Sequence, residues 1–189
     1  MRIIGGERRG RRLARWQGVG IRPLRDRVRT ALFDTLGETV VGAEVLDLFA
    51  GTGAVGLEAL SRGAKWATFV DSSAEAIRLI RENAARLGYS QRVEVIHGDA
   101  IKAVKNLARR GRRFDLVFIG APYETGLARE ALQALAEALP LRPGAFVVAE
   151  TFHKEELGEE FRPLRLCRSR SYGETRLTYF RFGPSEETR

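Results

Sequence analysis

Sulfur-containing residues and long apolar runs are scarce in this 189-residue sequence, which has one cysteine and one methionine. A single cysteine cannot form a disulfide within the chain, which favours a reducing compartment such as the cytoplasm. No apolar run approaches the roughly 18–20 residues of a membrane-spanning helix. The N-terminal MRIIGGERRGRR also lacks the apolar core of a secretory signal. We therefore expect a cytoplasmic protein with no membrane partner, and we expect Cys167 to be a small buried residue.

Lysine is absent from the first 30 residues, and acidic residues are rare there. This segment holds ten arginines against Glu7 and Asp26, and it accounts for the whole net charge of +8. Arginine presents a planar fork that matches phosphate geometry and stacks on bases. A solvated basic arm is the alternative, but concentrated positive charge is typical of nucleic-acid contact. The arginines that we expect to make this contact are Arg8, Arg9, Arg11, Arg12, Arg22, Arg25 and Arg27.

Strand and helix patterns alternate from Glu44 onward, after a segment LRDRVRTALFDTL whose apolar spacing predicts an amphipathic helix. Strands are predicted at EVLDLF, WATFVD, RVEVIHG, FDLVFIG and PGAFVVAET, and a helical pattern follows each of the first four. The segments LRLCRSR and TRLTYFRF, joined by SYGE, predict an antiparallel pair at the end of the chain. The expected fold is a Rossmann-like α/β domain. Its sheet should have seven strands and be mainly parallel, with an antiparallel C-terminal strand.

The first strand leads into DLFAGTGAVG (47–56), which contains G-x-G-x-x-G between a strand and a helix. This motif alone suggests a dinucleotide, bound at the carboxyl ends of the strands. Asp47 argues against it, because a carboxylate there would repel a pyrophosphate and attract a cation. S-adenosylmethionine carries an ammonium and a sulfonium and no phosphate, so the glycines would serve close backbone approach. The alternatives are an NAD-binding oxidoreductase, or an aspartate that only caps its own loop.

Two further acids follow the next two strands. Asp71 can accept both hydroxyls of a ribose, although NAD enzymes use the same device. Asp99 could accept a hydrogen bond from an adenine amine, or it could simply cap the following helix.

Several stretches together resemble the RsmD family of bacterial 16S ribosomal RNA guanine-N2 methyltransferases. They are RIIGGERRGRRL (2–13), RPLRDRVRTALFDTL (22–36), DLFAGTGAVGLEALSRGA (47–64), APY (121–123) and YGETRL (172–177). The resemblance implies a class I methyltransferase fold with S-adenosylmethionine as donor. It also implies that the target is the exocyclic amine of a guanine in 16S ribosomal RNA, free or in a small-subunit assembly particle. We expect a monomer with no metal.

The resemblance assigns roles to individual residues. Those expected to line or hold the donor are Asp47, Phe49, Gly51, Thr52 and Gly53, with Asp71 at the ribose and Asp99 and Ala100 at the adenine. Residues 1–40 would form the RNA-contacting arm and helix, and residues 41–189 would form the methyltransferase domain.

The end of the fourth strand departs from the family pattern. It reads Gly120-Ala121-Pro122-Tyr123, where the family usually has Asp-Pro-Pro followed by Tyr or Phe. An exocyclic amine is a poor nucleophile because its lone pair is delocalised into the ring. Acceptors that hold its N–H groups favour the tetrahedral nitrogen that attacks. Losing one side-chain acceptor should cost roughly 1–3 kcal/mol, which corresponds to roughly 5- to 150-fold in rate.

Residues 120–123 nevertheless keep several features that catalysis needs. Pro122 restrains Ala121 to extended geometry, so the carbonyls of Gly120 and Ala121 can accept from the amine. Tyr123 can stack on the target base, and Glu150 should lie nearby at the end of the fifth strand. We predict a methyltransferase that uses these four residues. The alternatives are a non-catalytic RNA-binding or ribosome-assembly protein that retains the donor pocket, and a methyltransferase acting on adenine or glutamine.

Overall fold

The computed structural model describes residues 1–16, 24–158 and 161–183. Within these ranges the helices are α1 (Asp26–Leu36), α2 (Ala54–Ser61), α3 (Ala74–Leu87), α4 (Ala100–Arg109) and α5 (Leu127–Ala138). The strands are β1 (Glu44–Leu48), β2 (Trp66–Asp71), β3 (Val93–His97), β4 (Phe114–Ile119), β5 (Leu141–Phe152), β6 (Leu164–Tyr172) and β7 (Thr175–Phe182). Every strand and helix that the sequence pattern predicted is therefore present. No helix in the described ranges is long and apolar enough to cross a bilayer.

The seven strands form one sheet in the order β3-β2-β1-β4-β5-β7-β6. Strands β1 to β5 pair in parallel, whereas β7 pairs antiparallel with both β5 and β6. The predicted α/β class and antiparallel end of the sheet are thus confirmed. The chain order reverses between the neighbours β1 and β4, and ligands of open α/β sheets bind at the carboxyl ends of strands at such a reversal.

Both faces of the sheet are buried, which explains the nearly continuous apolar strands. Successive residues of β1 show the alternation, because Val45 packs into one hydrophobic cluster and Leu46 into the other. The first cluster contains apolar residues of α1, α2 and α3, and the second contains those of α4 and α5. This arrangement leaves the carboxyl ends of the central strands accessible for a ligand.

Residues 1–16 pack against α2 and do not project as a free arm. Ile3 is fully buried and Leu13 nearly so, in the same cluster as the core of α1. The carboxylate of Glu58, which is also fully buried, accepts the backbone N–H groups of Ile4 and Gly5 at 2.8 and 2.7 Å. The N-terminal segment therefore shares its core with the rest of the chain.

Arg29 lies in the segment predicted to contact RNA, residues 1–40, but its side chain faces the interior of the protein. Its side chain is completely buried. It donates to the carbonyl of Arg2 at 2.5 Å and to Asp26 at 3.2 Å, and its Nε lies 3.7 Å from Glu58 Oε2. Burial lowers the pKa of Arg29, and the charges of Glu58 and Asp26 oppose that shift.

Cys167 is exposed, so the prediction that it is buried is wrong. It lies on β6, the last strand of the sheet, where the pairing register with β7 shifts between Leu166 and Arg168. An extra residue in an edge strand is left unpaired and turns out of the regular alternation, so apolar spacing alone could not place Cys167.

Candidate active site

The loop after β1 turns sharply through three residues with positive φ. These are Phe49 at 58°, Gly51 at 57° and Gly53 at 77°. A left-handed backbone is costly for a residue with a Cβ, which explains glycine at positions 51 and 53. Phe49 adopts the same region without that freedom, and such strained residues cluster at ligand sites. Gly53 then begins α2 as its N-cap.

Two carboxylates hold this loop in place. Asp47 Oδ2 accepts the backbone N–H of Gly56 at 3.0 Å. Asp71 bridges β2 to the loop, because its two oxygens accept the N–H groups of Gly51 at 2.9 Å and Ser73 at 2.8 Å. Asp47 therefore does cap its own loop, as the alternative interpretation held, but it also lines the adjoining cavity.

The carboxyl end of β4 lies beside that of β1. The N–H of Gly120 donates to the carbonyl of Leu48 at 3.0 Å. A Cβ added at Gly120 would lie 3.1 Å from Cε1 of Phe118, closer than side chains normally pack. The Phe118 ring thus occupies space next to the position where the family has an acidic side chain.

Tyr123 is anchored through its hydroxyl. This group donates to Glu150 Oε1 at 2.6 Å and lies 2.9 Å from Thr175 Oγ1. Its ring is half-buried and lies 6.2 Å from the ring of Phe152. Three segments, the β4 loop, β5 and the start of β7, therefore meet at this tyrosine.

A cavity of about 500 Å³ connects the glycine loop to the β4 loop, within the usual size range of small-molecule sites. All four predicted catalytic residues, 120–123, line it. The predicted donor residues that line it are Asp47, Phe49, Gly51, Thr52 and Asp71. Its other lining residues are Trp16, Leu24, Ala50, Ala54, Val55, Ser72, Ser73, Phe118 and Glu150.

Three predicted donor residues lie outside the lining of this cavity. Gly53 is the N-cap of α2, and Ala100 is the first residue of α4. Asp99 is exposed, and its Oδ1 accepts the N–H of Lys102 at 2.8 Å. The helix-capping role of Asp99 is therefore the one visible in the structure, and contact with adenine stays a prediction.

The charges around the cavity suit a cationic ligand. Asp47, Asp71 and Glu150 contribute three carboxylates, and no Lys, Arg or His is found among the described lining residues. Such a lining repels a pyrophosphate and attracts an ammonium or a sulfonium. In the described part of the chain, no group of three or more His, Cys, Asp or Glu side chains could hold a metal ion.

The carboxyl group of Asp47 has a pKa well above its ordinary value. Burial raises its pKa to about 8, the hydrogen bond from Gly56 opposes the shift, and the charges of Asp71 and Glu150 add to it. The group is therefore mainly protonated at pH 7 when no cation faces it. A bound cation would favour the ionised form and lower this pKa again.

The predicted RNA-contacting arginines divide into exposed and engaged side chains. The exposed ones are Arg9, Arg11, Arg12, Arg25 and Arg27. Arg8 is half-buried, because its Nε donates to the carbonyl of Leu87 at 2.9 Å and its guanidinium lies 5.7 Å from the ring centroid of Tyr89. Arg22 lies outside the described residues. Contact with RNA stays a prediction for all of them.

Sequence reasoning missed Asn83, which links the N-terminal segment to the glycine loop. Its side chain is fully buried. Its Oδ1 accepts the N–H of Ala14 at 2.7 Å, and its Nδ2 donates to the carbonyl of Thr52 at 3.0 Å. The available signal was an amide on the apolar face of α3, three residues after Ile80. Trp16 and Leu24 also reach the cavity, and no sequence pattern indicated it.

Known proteins match this chain along most of its length. The model of the family described as conserved hypothetical protein 95 matches residues 1–181. Ribosomal RNA small subunit methyltransferase D of Escherichia coli (strain K12) is 37% identical over 151 residues, which cover 80% of this chain and 74% of that protein.

Two solved structures extend the comparison. A hypothetical protein of Thermus thermophilus superimposes with a TM-score of 0.82 and 32% identity, over 97% of this chain and 99% of that one. An RNA methyltransferase from Salinibacter ruber in complex with S-adenosyl-L-homocysteine superimposes with a TM-score of 0.68 over 88% of this chain and 97% of that one. At 16% identity, the second likeness concerns the fold alone.

Proposed function

Because the chain belongs to the RsmD family, we propose that it methylates the exocyclic amine of a guanine in small-subunit ribosomal RNA. The donor is S-adenosylmethionine. The proposed substrate is 16S RNA, free or in an assembly particle, because the related Escherichia coli protein is named for the small-subunit RNA.

One observation carries this proposal. The glycine loop and the Gly-Ala-Pro-Tyr loop line the same cavity, and every charged side chain among its described lining residues is a carboxylate. A cationic methyl donor can therefore bind on one side of the cavity while a planar base enters on the other. A pyrophosphate-bearing cofactor would meet acidic side chains and no cationic partner among the described lining residues, which disfavours the NAD-binding alternative.

The chemistry itself comes from the donor. When bound, it supplies a methyl group on a sulfonium. Asp47, Gly51 and Asp71, which line the cavity, would hold the donor. It would supply a methyl group to the guanine N2 and keep the electrons of the C–S bond on its sulfur, and the proton that the amine gives up would pass to water. The protein contributes mainly position, because well-oriented groups convert a bimolecular step into an effectively unimolecular one.

Each part of the β4 loop has a proposed task. The ring of Tyr123, held through its hydroxyl by Glu150, stacks on the target base. The carbonyls of Gly120 and Ala121, restrained by Pro122, accept the amine protons. The Gly120 N–H donates to the carbonyl of Leu48, which anchors the start of this loop beside β1.

The exposed arginines 9, 11, 12, 25 and 27 are proposed to contact RNA phosphates. In this division, residues 1–40 form the RNA-contacting part and residues 41–189 the methyltransferase domain. The chain would act as a monomer in the cytoplasm.

Purified protein tests the proposal directly when it is incubated with labelled donor and small-subunit particles that lack the modification. We expect incorporation of one methyl group per particle and N2-methylguanosine after digestion and mass spectrometry. The second candidate is an RNA-binding protein without activity, which Gly120 favours because the usual acidic side chain is missing. Intact RNA binding without methyl incorporation at enzyme excess would establish that candidate instead.

Donor binding should release a proton near neutral pH. Asp47 is mainly protonated at pH 7 because its pKa is about 8, and a bound cation favours its ionised form. We expect S-adenosylhomocysteine, which keeps the ammonium, to release close to one proton at pH 7, with affinity rising between pH 6 and 8. Calorimetry in buffers of different ionisation enthalpy measures this number.

Substitutions separate Asp47 from other sources of the proton. Asp47→Asn should abolish the release and weaken binding by about 10- to 150-fold, the value of a hydrogen bond to a charged group. Asp34→Asn, at an exposed position, should change neither quantity. Equal proton release from wild type and Asp47→Asn would show that another group titrates.

Gly120→Asp should raise turnover relative to Gly120→Ala. Both variants place a Cβ 3.1 Å from the Phe118 ring, so the comparison with alanine removes the cost of the Cβ itself. We expect turnover of the aspartate variant to exceed that of the alanine variant by about 5- to 150-fold, because one acceptor for the amine is restored. Single-turnover methylation at saturating donor measures the ratio. A ratio at or below one would mean that the amine does not face position 120.

A further inference from the structure

Glu150 occupies a position in the cavity that the proposed methyl transfer has so far used only as an anchor. It lies on β5, the residue is only 8% exposed, and it lines the cavity. The hydroxyl of Tyr123 donates to its Oε1 at 2.6 Å, and Thr175 Oγ1 lies 2.9 Å from the same hydroxyl. The carboxylate is therefore held next to the ring that is proposed to stack on the base.

A carboxylate in this place matches the Watson–Crick edge of guanine better than that of adenine or cytosine. Guanine presents N1–H and N2–H as two adjacent donors on its Watson–Crick edge, which match the two oxygens of a carboxylate. Adenine and cytosine present an unprotonated ring nitrogen next to their amine. A carboxylate oxygen facing that edge would meet the lone pair of the ring nitrogen. Two acceptors would then repel each other, and neither would have a donor.

We propose that Glu150 reads the target base, accepting hydrogen bonds from both N1–H and N2–H of a guanine stacked against Tyr123. This specificity role rests on the proposed function, since it presupposes that a guanine enters this cavity. An ionised carboxylate has about four lone-pair sites, so it can accept from the base as well as from the tyrosine hydroxyl.

The position of Glu150 also offsets the absence of an acidic side chain at Gly120. Gly120 has no side-chain acceptor, and the Phe118 ring lies next to the space where one would begin. With Glu150 on one N–H of the amine, the other N–H is left to a main-chain carbonyl of the β4 loop, a weaker acceptor than the carboxylate that Gly120→Asp would add. One side-chain acceptor for the amine thus comes from the neighbouring strand, because β5 pairs with β4 in parallel.

A base analogue without the N1–H tests this specificity. The base 2-aminopurine keeps the exocyclic amine but lacks O6 and carries an unprotonated N1. Wild-type protein should therefore methylate RNA containing 2-aminopurine at the mapped target position about 10- to 150-fold more slowly than RNA containing guanine, by kcat/KM. Glu150→Gln has nearly the same shape, and its amide can donate to N1 while its oxygen accepts from the amine. This variant should lose activity on guanine and shift the guanine to 2-aminopurine ratio by about 10-fold or more towards 2-aminopurine.

The ratio separates reading of the base from a structural role. Damage to the fold or to the anchor of Tyr123 would slow both substrates equally and leave the ratio unchanged, which would overturn the inference. Glu156→Gln, at an exposed position, serves as the control and should leave both rates and their ratio as in wild type. Calorimetry with S-adenosylhomocysteine checks that Glu150→Gln still binds donor.

The same experiment distinguishes a failure of the specificity role of Glu150 from a failure of the proposed function. If wild-type protein methylates guanine and Glu150→Gln leaves the preference for guanine intact, the specificity role fails while the proposed function stands. If wild-type protein binds donor and RNA but methylates neither base, the proposed function itself fails.

Discussion

Glu58→Ala should lower the free energy of unfolding by about 3–5 kcal/mol, the usual cost of removing one partner of a buried ion pair. Its carboxylate is completely buried and lies 3.7 Å from Arg29 and 2.9 Å from Arg62. Without it, the buried Arg29 charge would keep only the partly exposed Asp26 as a counter-ion within the described contacts. The N–H groups of Ile4 and Gly5 would lose their acceptor as well.

Urea unfolding followed by circular dichroism measures this loss. Glu82→Ala is the matched control, because Glu82 also pairs with two arginines one helical turn away, Arg78 and Arg86. Those pairs are largely solvent-exposed, so the control should cost about 1 kcal/mol or less. A similar loss of unfolding free energy in both variants would contradict the view that Glu58 holds the N-terminal segment in place.

Gly6→Ala should detach the N-terminal segment from α2. Gly6 has a φ of 75°, and a Cβ there would lie 1.8 Å from the carbonyl oxygen of Ser61. The backbone at Ser61 cannot move away without breaking the hydrogen bond that the Glu7 N–H donates to the Ser61 carbonyl at 2.8 Å. We expect a loss of about 3–5 kcal/mol, combining the left-handed strain of alanine with exposure of Ile3.

Gly10→Ala separates strain from collision. Gly10 has a similar φ of 83°, but nothing lies within 4 Å of the added Cβ. It should cost only about 1–2 kcal/mol, the value of a left-handed alanine. Trypsin cleavage after the exposed arginines 9, 11 and 12 should accelerate strongly in Gly6→Ala alone, and RNA affinity should fall with it. Equal cleavage rates in the two variants would show that the segment is not held through Ser61.

The order and type of the elements could be predicted from the sequence because the signals are local. Apolar runs bounded by glycine and proline marked the strands, and the helices followed from their 3.6-residue spacing. A serine directly before a helical pattern is a typical N-cap, and Ser73 Oγ does accept the N–H of Ala76 at 3.3 Å. The helical pattern of α1 was also correct, but it did not reveal that Arg29 is buried, since that depends on Glu58 from another helix.

The sequence predicted the part of the candidate site that lies at the carboxyl ends of the parallel strands. Parallel strands end at one edge of the sheet, so residues following β1, β2 and β4 had to meet there. Asp99 and Ala100 follow the same logic after β3, yet the described cavity does not extend to them. The direction of the strands therefore predicts the edge of the sheet at which a ligand binds, but it does not predict how far the cavity extends along that edge.

The contacts that fix the N-terminal segment could not be predicted, because they join residues far apart in the sequence. Asn83 meets Ala14 across 69 positions, and Glu58 meets Ile4 across 54. Each is a polar group whose burial is tolerated only with a partner, and a single sequence does not name that partner. Glu150 was expected near residues 120–123, but its hydrogen bond with Tyr123, across 27 positions, was not, and this bond supplies the specificity proposal.

Guanine methylation by this protein is tested most directly by the N2-methylguanosine content of small-subunit ribosomal RNA from cells that lack it. We predict that mass spectrometry will find one guanine without its N2-methyl group, restored by the wild-type gene and not by Asp47→Asn. Unchanged methylation at every guanine of that RNA would contradict the claim that this cavity transfers methyl groups to guanine.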